Sequence, residues 1–148
     1  MENHMELCFD AASVNESFAR MAVVAFISEL DPTLEELEDV RMAVSEAVTN
    51  AIIHGYNNRE NEKVWIKCKY KDEKFEIEIE DKGVGIADVH KAMEPFYTTD
   101  EGQERAGMGF AFMNAFMDDV QVESELMKGT TVTMIKRLCR LEEEFNEG

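Results

Sequence analysis

Hydrophobic and polar positions along the chain follow two periods, and the changes of period mark the elements. "HMELCFD" (4–10) alternates with a period of two, as a short strand does. "NESFARMAVVAFISEL" (15–30) then places Phe18, Ala22, Ala25, Phe26 and Leu30 at helical spacing. Pro32 separates this helix from the next, and Thr33 followed by Glu36 has the pattern of a capping box, so a second helix is predicted from there to about Tyr56. "KVWIKCKY" (63–70) and "KFEIEIED" (74–81) alternate as strands about a short polar turn. "DVQVESEL" and "GTTVTMIKRL" repeat the design about Lys128 and Gly129, which predicts two hairpins. Between them lie a glycine-bearing turn (81–86), an irregular polar stretch (95–106) and a helix from about Gly107 to Met117. Helices segregated from hairpins predict an α+β fold, a two-layer sandwich whose mixed sheet is covered by helices on one face.

Composition narrows the function classes. The 148 residues, 45% of them hydrophobic, suit a single domain over 1–148, with an acidic tail from about 139 to 148. Thirty-two acidic against 15 basic side chains give a formal charge of -17, which would repel a phosphate backbone and argues against direct nucleic-acid binding. A basic protein partner is the better expectation. Cys8, Cys68 and Cys139 are an odd, widely spaced set that fits reduced thiols. With no signal-like start and no apolar run of about 20 residues, the expected location is the cytoplasm, away from the membrane.

Three short segments carry candidate chemistry. In "VSEAVTNAIIHGYNN" the apolar stripe is Val40, Val44, Ala47 and Ala51, and Glu46 and Asn50 fall on its edge, one turn apart. On this segment alone, solvated surface groups and the flank of a site are both open readings, and His54 reads as structural. In "FEIEIEDKGVGI", Asp81 continues the inward phase of Phe75, Ile77 and Ile79. A carboxylate aimed at the core side needs hydrogen-bond donors, and a ligand's amino group is one candidate. Gly83 and Gly85 would let the backbone turn sharply and a flat ligand approach. In "RAGMGFAFMNAFM", Gly107 and Gly109 open an apolar helix whose free N–H groups could receive a polyphosphate, with Arg105 as a charged donor.

Taken together, "EAVTNAIIHGY", "DKGVGI", "GMGF" and "GTTV" resemble the N, G1, G2 and G3 boxes of the GHKL ATPase/kinase superfamily. Within it, "SEAVTNAIIHGYNN", "FYTT" and "ERAGMGF" are most similar to the anti-sigma factor serine kinases. The resemblance runs from the first strand to about residue 138. It implies a Bergerat fold that binds Mg-ATP. It also implies a homodimer that sequesters a sporulation sigma factor and phosphorylates a serine on an anti-anti-sigma factor.

The resemblance also implies roles for residues. Glu46 would be the general base toward the acceptor serine, and Asn50 the ligand of Mg²⁺. Asp81 would accept from the adenine amino group, with Gly83, Gly85 and Ile86 beside the base and Thr130 assisting through its hydroxyl. The stretch from about Phe96 to Ala106 would be a lid over ATP, with Thr98, Thr99 and Arg105 near the terminal phosphates and Gly107 and Gly109 cradling them. Arg20, off the apolar stripe of the first helix, is a candidate contact to a protein partner. Two other classes share the pocket: a histidine-kinase catalytic domain, which needs a phospho-accepting helix pair, and a catalytically silent binder that uses nucleotide as a signal.

Overall fold

The computed structural model describes residues 2–57, 59, 61–93 and 104–139, with 104–108 described in backbone alone. Strand β1 (Glu2–Asp10) leads into helix α1 (Val14–Ile27), a 3₁₀ turn (Ser28–Leu30) and helix α2 (Leu34–Asn50). Helix α2 passes without a break into a π-helical turn, Ala51–Gly55. Strands β2 (Lys63–Lys71) and β3 (Lys74–Asp81) follow, then a short helix α3 (Val89–Ala92), helix α4 (Glu104–Phe116), and strands β4 (Asp119–Glu125) and β5 (Gly129–Arg137).

The five strands form one sheet in the order β1-β2-β3-β5-β4. The fold is the expected α+β sandwich, with one correction. A mixed sheet was predicted, yet every strand pair among the described residues is antiparallel. The crossover from β3 through α3 and α4 does return β4 in the direction of β3, but β5 inserts between them, so the two never pair. Likewise β2 separates β1 from β3.

Strand alternation builds the core. Phe75, Ile77 and Ile79 of β3 and Val64, Ile66 and Cys68 of β2 are buried beneath the helices. The other face carries charge in cross-strand register, Glu6 beside Lys67 and Lys67 beside Glu78. Helix α2 starts where the sequence places it: Thr33 Oγ1 accepts the Glu36 N–H at 3.1 Å and Glu36 Oε1 accepts the Thr33 N–H at 2.9 Å. Its stripe Val40, Val44, Ala47 and Ala51 is buried as expected.

Helix α1 departs from its predicted face. Ala19, Val23, Ile27 and Leu30 are buried, whereas Phe18 is 57% exposed and Met21 67%. The helix is apolar almost all round, so its period does not select a face; Phe26 docks it on the sheet, 5.1 Å from the Tyr70 ring and 6.3 Å from that of Phe75. Helix α4 also starts earlier than predicted, at Glu104, because Glu104, Arg105 and Ala106 are good helix formers and extend the helix upstream of the glycines.

Candidate functional site

Among the described residues, the buried polar or charged side chains are Asp81 and Thr130, and they are cross-strand neighbours at the ends of β3 and β5. The period of β3 drives Asp81 inward behind three hydrophobic residues, as its sequence phase requires. Burial pushes its carboxyl up to about 6, the charge of Glu80 adds to this, and the backbone N–H groups of Gly83 and Thr130 partly oppose it. Gly83 N–H donates to Asp81 Oδ1 at 2.9 Å. The carboxylate is therefore held by backbone and left with lone pairs to offer a ligand.

Close backbone approaches pack the surrounding loop tightly around this carboxylate. A Cβ on Gly55 would lie 2.8 Å from the Asp81 carboxylate, and one on Gly83 would overlap the Gly55 carbonyl. Val84 N–H donates to that same carbonyl at 2.8 Å, which ties the 81–86 loop to the end of the π-turn. Gly85 sits at φ +76°, where its Cβ-free backbone also clears Glu125. Met127 N–H donates to the Val84 carbonyl at 2.7 Å, so the tip of the β4–β5 hairpin closes the loop from the other side.

The Thr130 hydroxyl belongs to a small network. Ile86 N–H donates to Ser124 Oγ at 2.7 Å, and Ser124 donates to the Gly129 carbonyl at 2.9 Å. Having spent its one proton there, Ser124 accepts from Thr130 across 2.8 Å. Thr130 Oγ1 then has only acceptor capacity left. Asp81 and Thr130 together present acceptors, the complement of an exocyclic amino group.

Asn50, the last residue of α2, is the second cluster. Its Nδ2 is buried without a hydrogen-bond partner and lies where a Cβ on Gly109 would come within 2.7 Å. Gly109 thus lets α4 close onto the Asn50 amide. Glu46, one turn earlier on the same flank, is half-buried. The π-turn joins the two clusters: it begins after Asn50 and ends at Gly55, against Asp81. π-turns inside helices often mark functional sites.

Asp81, Gly83, Gly85, Ile86 and Thr130 are therefore brought together, and Asn50 meets Gly109. Arg105 falls in the first turn of α4, where helix N–H groups are free, whereas Gly107 and Gly109 are the fourth and sixth residues of the helix, inside its hydrogen-bonded ladder and not at its opening as predicted. Thr98 and Thr99 lie outside the described residues. Arg20 stands apart on α1, its guanidinium 3.6 Å from the Glu16 carboxylate. Sequence reasoning passed over Gly55, Tyr56 and Ser124. Ser124 had a signal, since it continues the phase of Val120 and Val122 on β4 as Asp81 does on β3. Gly55 read only as a helix end.

No described helix is long and apolar enough to cross a membrane. Residues 9–136 match the family model of the histidine kinase-like ATPase domain. The anti-sigma F factor of Clostridium acetobutylicum is 55% identical over 143 residues, 97% of this chain and 99% of its own. That of Oceanobacillus iheyensis is 50% identical over 146 residues, 99% of this chain and 100% of its own. Among solved structures, the RsbU and RsbW domains of Rv1364c from Mycobacterium tuberculosis superimpose with a TM-score of 0.67 at 18% identity. That match takes in 93% of this chain, which spans about a third (32%) of the solved one, and it speaks to the fold. With its two polar clusters on this scaffold and half its residues shared along their full length, the chain belongs to the histidine kinase-like ATPase domain family and, within it, to the anti-sigma F factors.

Proposed function

We propose that this chain binds and restrains a sigma factor, and that it uses Mg-ATP to phosphorylate a serine of an anti-anti-sigma factor. The observation that carries the nucleotide part is the buried Asp81–Thr130 acceptor pair, packed closely by glycine backbone and offering lone pairs that suit an amino-bearing base. The near-full-length similarity to anti-sigma F factors supports the sigma-factor part. The whole chain acts as one unit in the cytoplasm, with 139–148 as an acidic tail.

Asp81 accepts from the adenine amino group, Thr130 assists, and Gly83, Gly85 and Ile86 flank the ring; guanine, with a carbonyl at that position, meets two acceptors and is disfavoured. Among the described residues no cluster of three or more His, Cys, Asp or Glu could hold a metal. A cation carried mainly by phosphate oxygens and water needs less, and the buried, underused Asn50 amide fits it: its carbonyl oxygen would hold Mg²⁺. Bound there, Mg²⁺ would neutralise phosphate charge. Glu46 takes the proton of the serine hydroxyl as the new O–P bond forms and the bond from the γ-phosphorus to the bridging oxygen breaks, leaving ADP. Thr98, Thr99 and Arg105 contact the terminal phosphates, and Gly107 and Gly109, without side chains, let α4 approach them and the Asn50 amide closely.

Two surfaces on α1 support a partner role. Val14, Phe18 and Met21 form an exposed apolar stripe suited to a homodimer contact, and Arg20 contacts a protein partner. Incubation with γ-labelled ATP, a sigma factor and candidate anti-anti-sigma proteins, followed by mass spectrometry of the acceptor, tests the reading. Phosphoserine on the acceptor is the expected outcome. Nucleotide and sigma-factor binding with no transfer would identify a silent regulatory binder instead.

A further inference from the structure

Tyr56 is the bulkiest fully buried side chain among the described residues, yet its hydroxyl does polar work. It donates to the Lys63 carbonyl at 2.7 Å and accepts the Lys82 N–H at 2.6 Å. Lys63 and Lys82 are the next positions in the β2–β3 register beyond the Val64–Asp81 pair. The hydroxyl is thus inserted as the closing rung of that ladder, one residue past Asp81. Burial raises the phenol above its ordinary range, so it stays protonated and serves both partners.

The residue before it acts on the same loop. The Gly55 carbonyl accepts from Val84 N–H, and the bare Gly55 Cα leaves space for the Asp81 carboxylate. Residues 55 and 56 therefore hold the 81–84 segment through the N–H groups of Lys82 and Val84 and pack against the Asp81 carboxylate. Lys82 is also tied on its outer side, where its ammonium lies 4.7 Å from the ring centroid of Trp65.

We propose that Tyr56 is a positioning residue for base recognition, its hydroxyl holding the Asp81–Lys82 peptide so that the Asp81 carboxylate faces the exocyclic amino group of the nucleotide. This rests on the assignment of Asp81 as the base-contacting residue. Tyr56 touches no nucleotide and acts through the peptide alone. Without the hydroxyl, the Lys82 N–H and Lys63 carbonyl lose their partner and Asp81 loses its fixed aim.

Tyr56→Phe keeps the ring and its packing and removes only the hydroxyl. Calorimetric titration with ATP and with GTP should show ATP affinity falling by about 5–30-fold, the factor for one or two kcal/mol, and GTP affinity changing less than about twofold. A merely structural role would lower Tm and weaken both nucleotides in proportion; an unchanged ATP-to-GTP ratio overturns the proposal. Asp81→Asn, run in parallel, separates the two levels. If it collapses the ratio while Tyr56→Phe does not, Tyr56 alone is excluded; if it leaves the ratio intact, the Asp81 assignment falls and the Tyr56 role with it. Should Tyr56→Phe not fold, hydrogen exchange on the unsubstituted protein decides. The Lys82 amide should exchange more slowly with ATP than without nucleotide, and an equal rate overturns the proposal.

Discussion

Asp81 is buried at a cost that the proposed contact with a base would explain. Its carboxyl is raised to about 6 by burial, from an ordinary value of 3.8. The folded state therefore binds the proton more tightly than the unfolded one. The resulting stability is fully present below pH 3.8 and is lost as pH rises through about 6. At pH 8 the ionised group costs roughly 2–3 kcal/mol, so Asp81→Asn should melt higher than the parent at pH 8 and gain little at pH 4. The same substitution should weaken ATP by roughly 1–3 kcal/mol, the scale of a hydrogen bond to a charged group, in calorimetry at pH 8. A gain in Tm paired with a loss of affinity marks a residue kept for binding. Glu46→Gln separates chemistry from binding. Single-turnover transfer at saturating ATP should slow by about 10²–10⁴-fold, nearer the lower end for a dissociative transition state, with ATP and sigma-factor affinity nearly unchanged. A rate within about threefold of the parent would remove Glu46 as base.

At the scale of elements, the site depends on how α2 and α4 sit against each other. Asn50 meets Gly109 at one end of their contact. At the other, Lys136 of β5 reaches under both helices: its ammonium lies 2.9 Å from Asp39 Oδ2 on α2 and donates to the Phe116 carbonyl, the last of α4, at 2.6 Å. The Lys136 side chain is only 12% exposed, so this pair is less screened than the surface bridges. Lys136→Met leaves a half-buried carboxylate and a helix-terminal carbonyl without their donor. Urea unfolding should show a loss of about 1–3 kcal/mol, whereas breaking the exposed Arg41–Glu38 pair should cost less than about 0.5 kcal/mol. Equal effects would show that the buried ammonium contributes nothing special.

For the whole molecule, charge and apolar surface set the terms of association. A formal charge of -17 favours a basic partner and makes encounter electrostatic, so association with a sigma factor should slow as salt rises while dissociation changes less. Stopped-flow rates across a salt series measure this. The stripe of Val14, Phe18 and Met21 predicts the second contact. Analytical ultracentrifugation should show the parent as the proposed dimer and Phe18→Glu as a monomer with Tm little changed, because Phe18 is 57% exposed and outside the core; a monomeric parent would remove the dimer. A dimer that persists would move the interface off α1.

The sequence by itself determined whatever depends on a local period. Alternation set the strands within a residue or two, the capping box started α2, and the phase of β3 put Asp81 on the buried face. A period of 3.6 put Glu46 and Asn50 on one flank for the same reason. Tertiary structure decided what local patterns leave degenerate. Helix α1 is apolar on nearly every side, so only docking of Phe26 on the sheet chose which residues to bury and left Phe18 outside. The order of strands, with β5 between β3 and β4, excluded the parallel pair that a crossover suggests. The Gly55 contact with Asp81 and the Tyr56 bridge to Lys82 join positions 26 apart in the chain, and no short-range pattern encodes them. They arise because packing α2 on the sheet brings the end of a helix to the end of a strand, where the Lys82 N–H, past the last rung of the ladder, must find a partner and takes the Tyr56 hydroxyl.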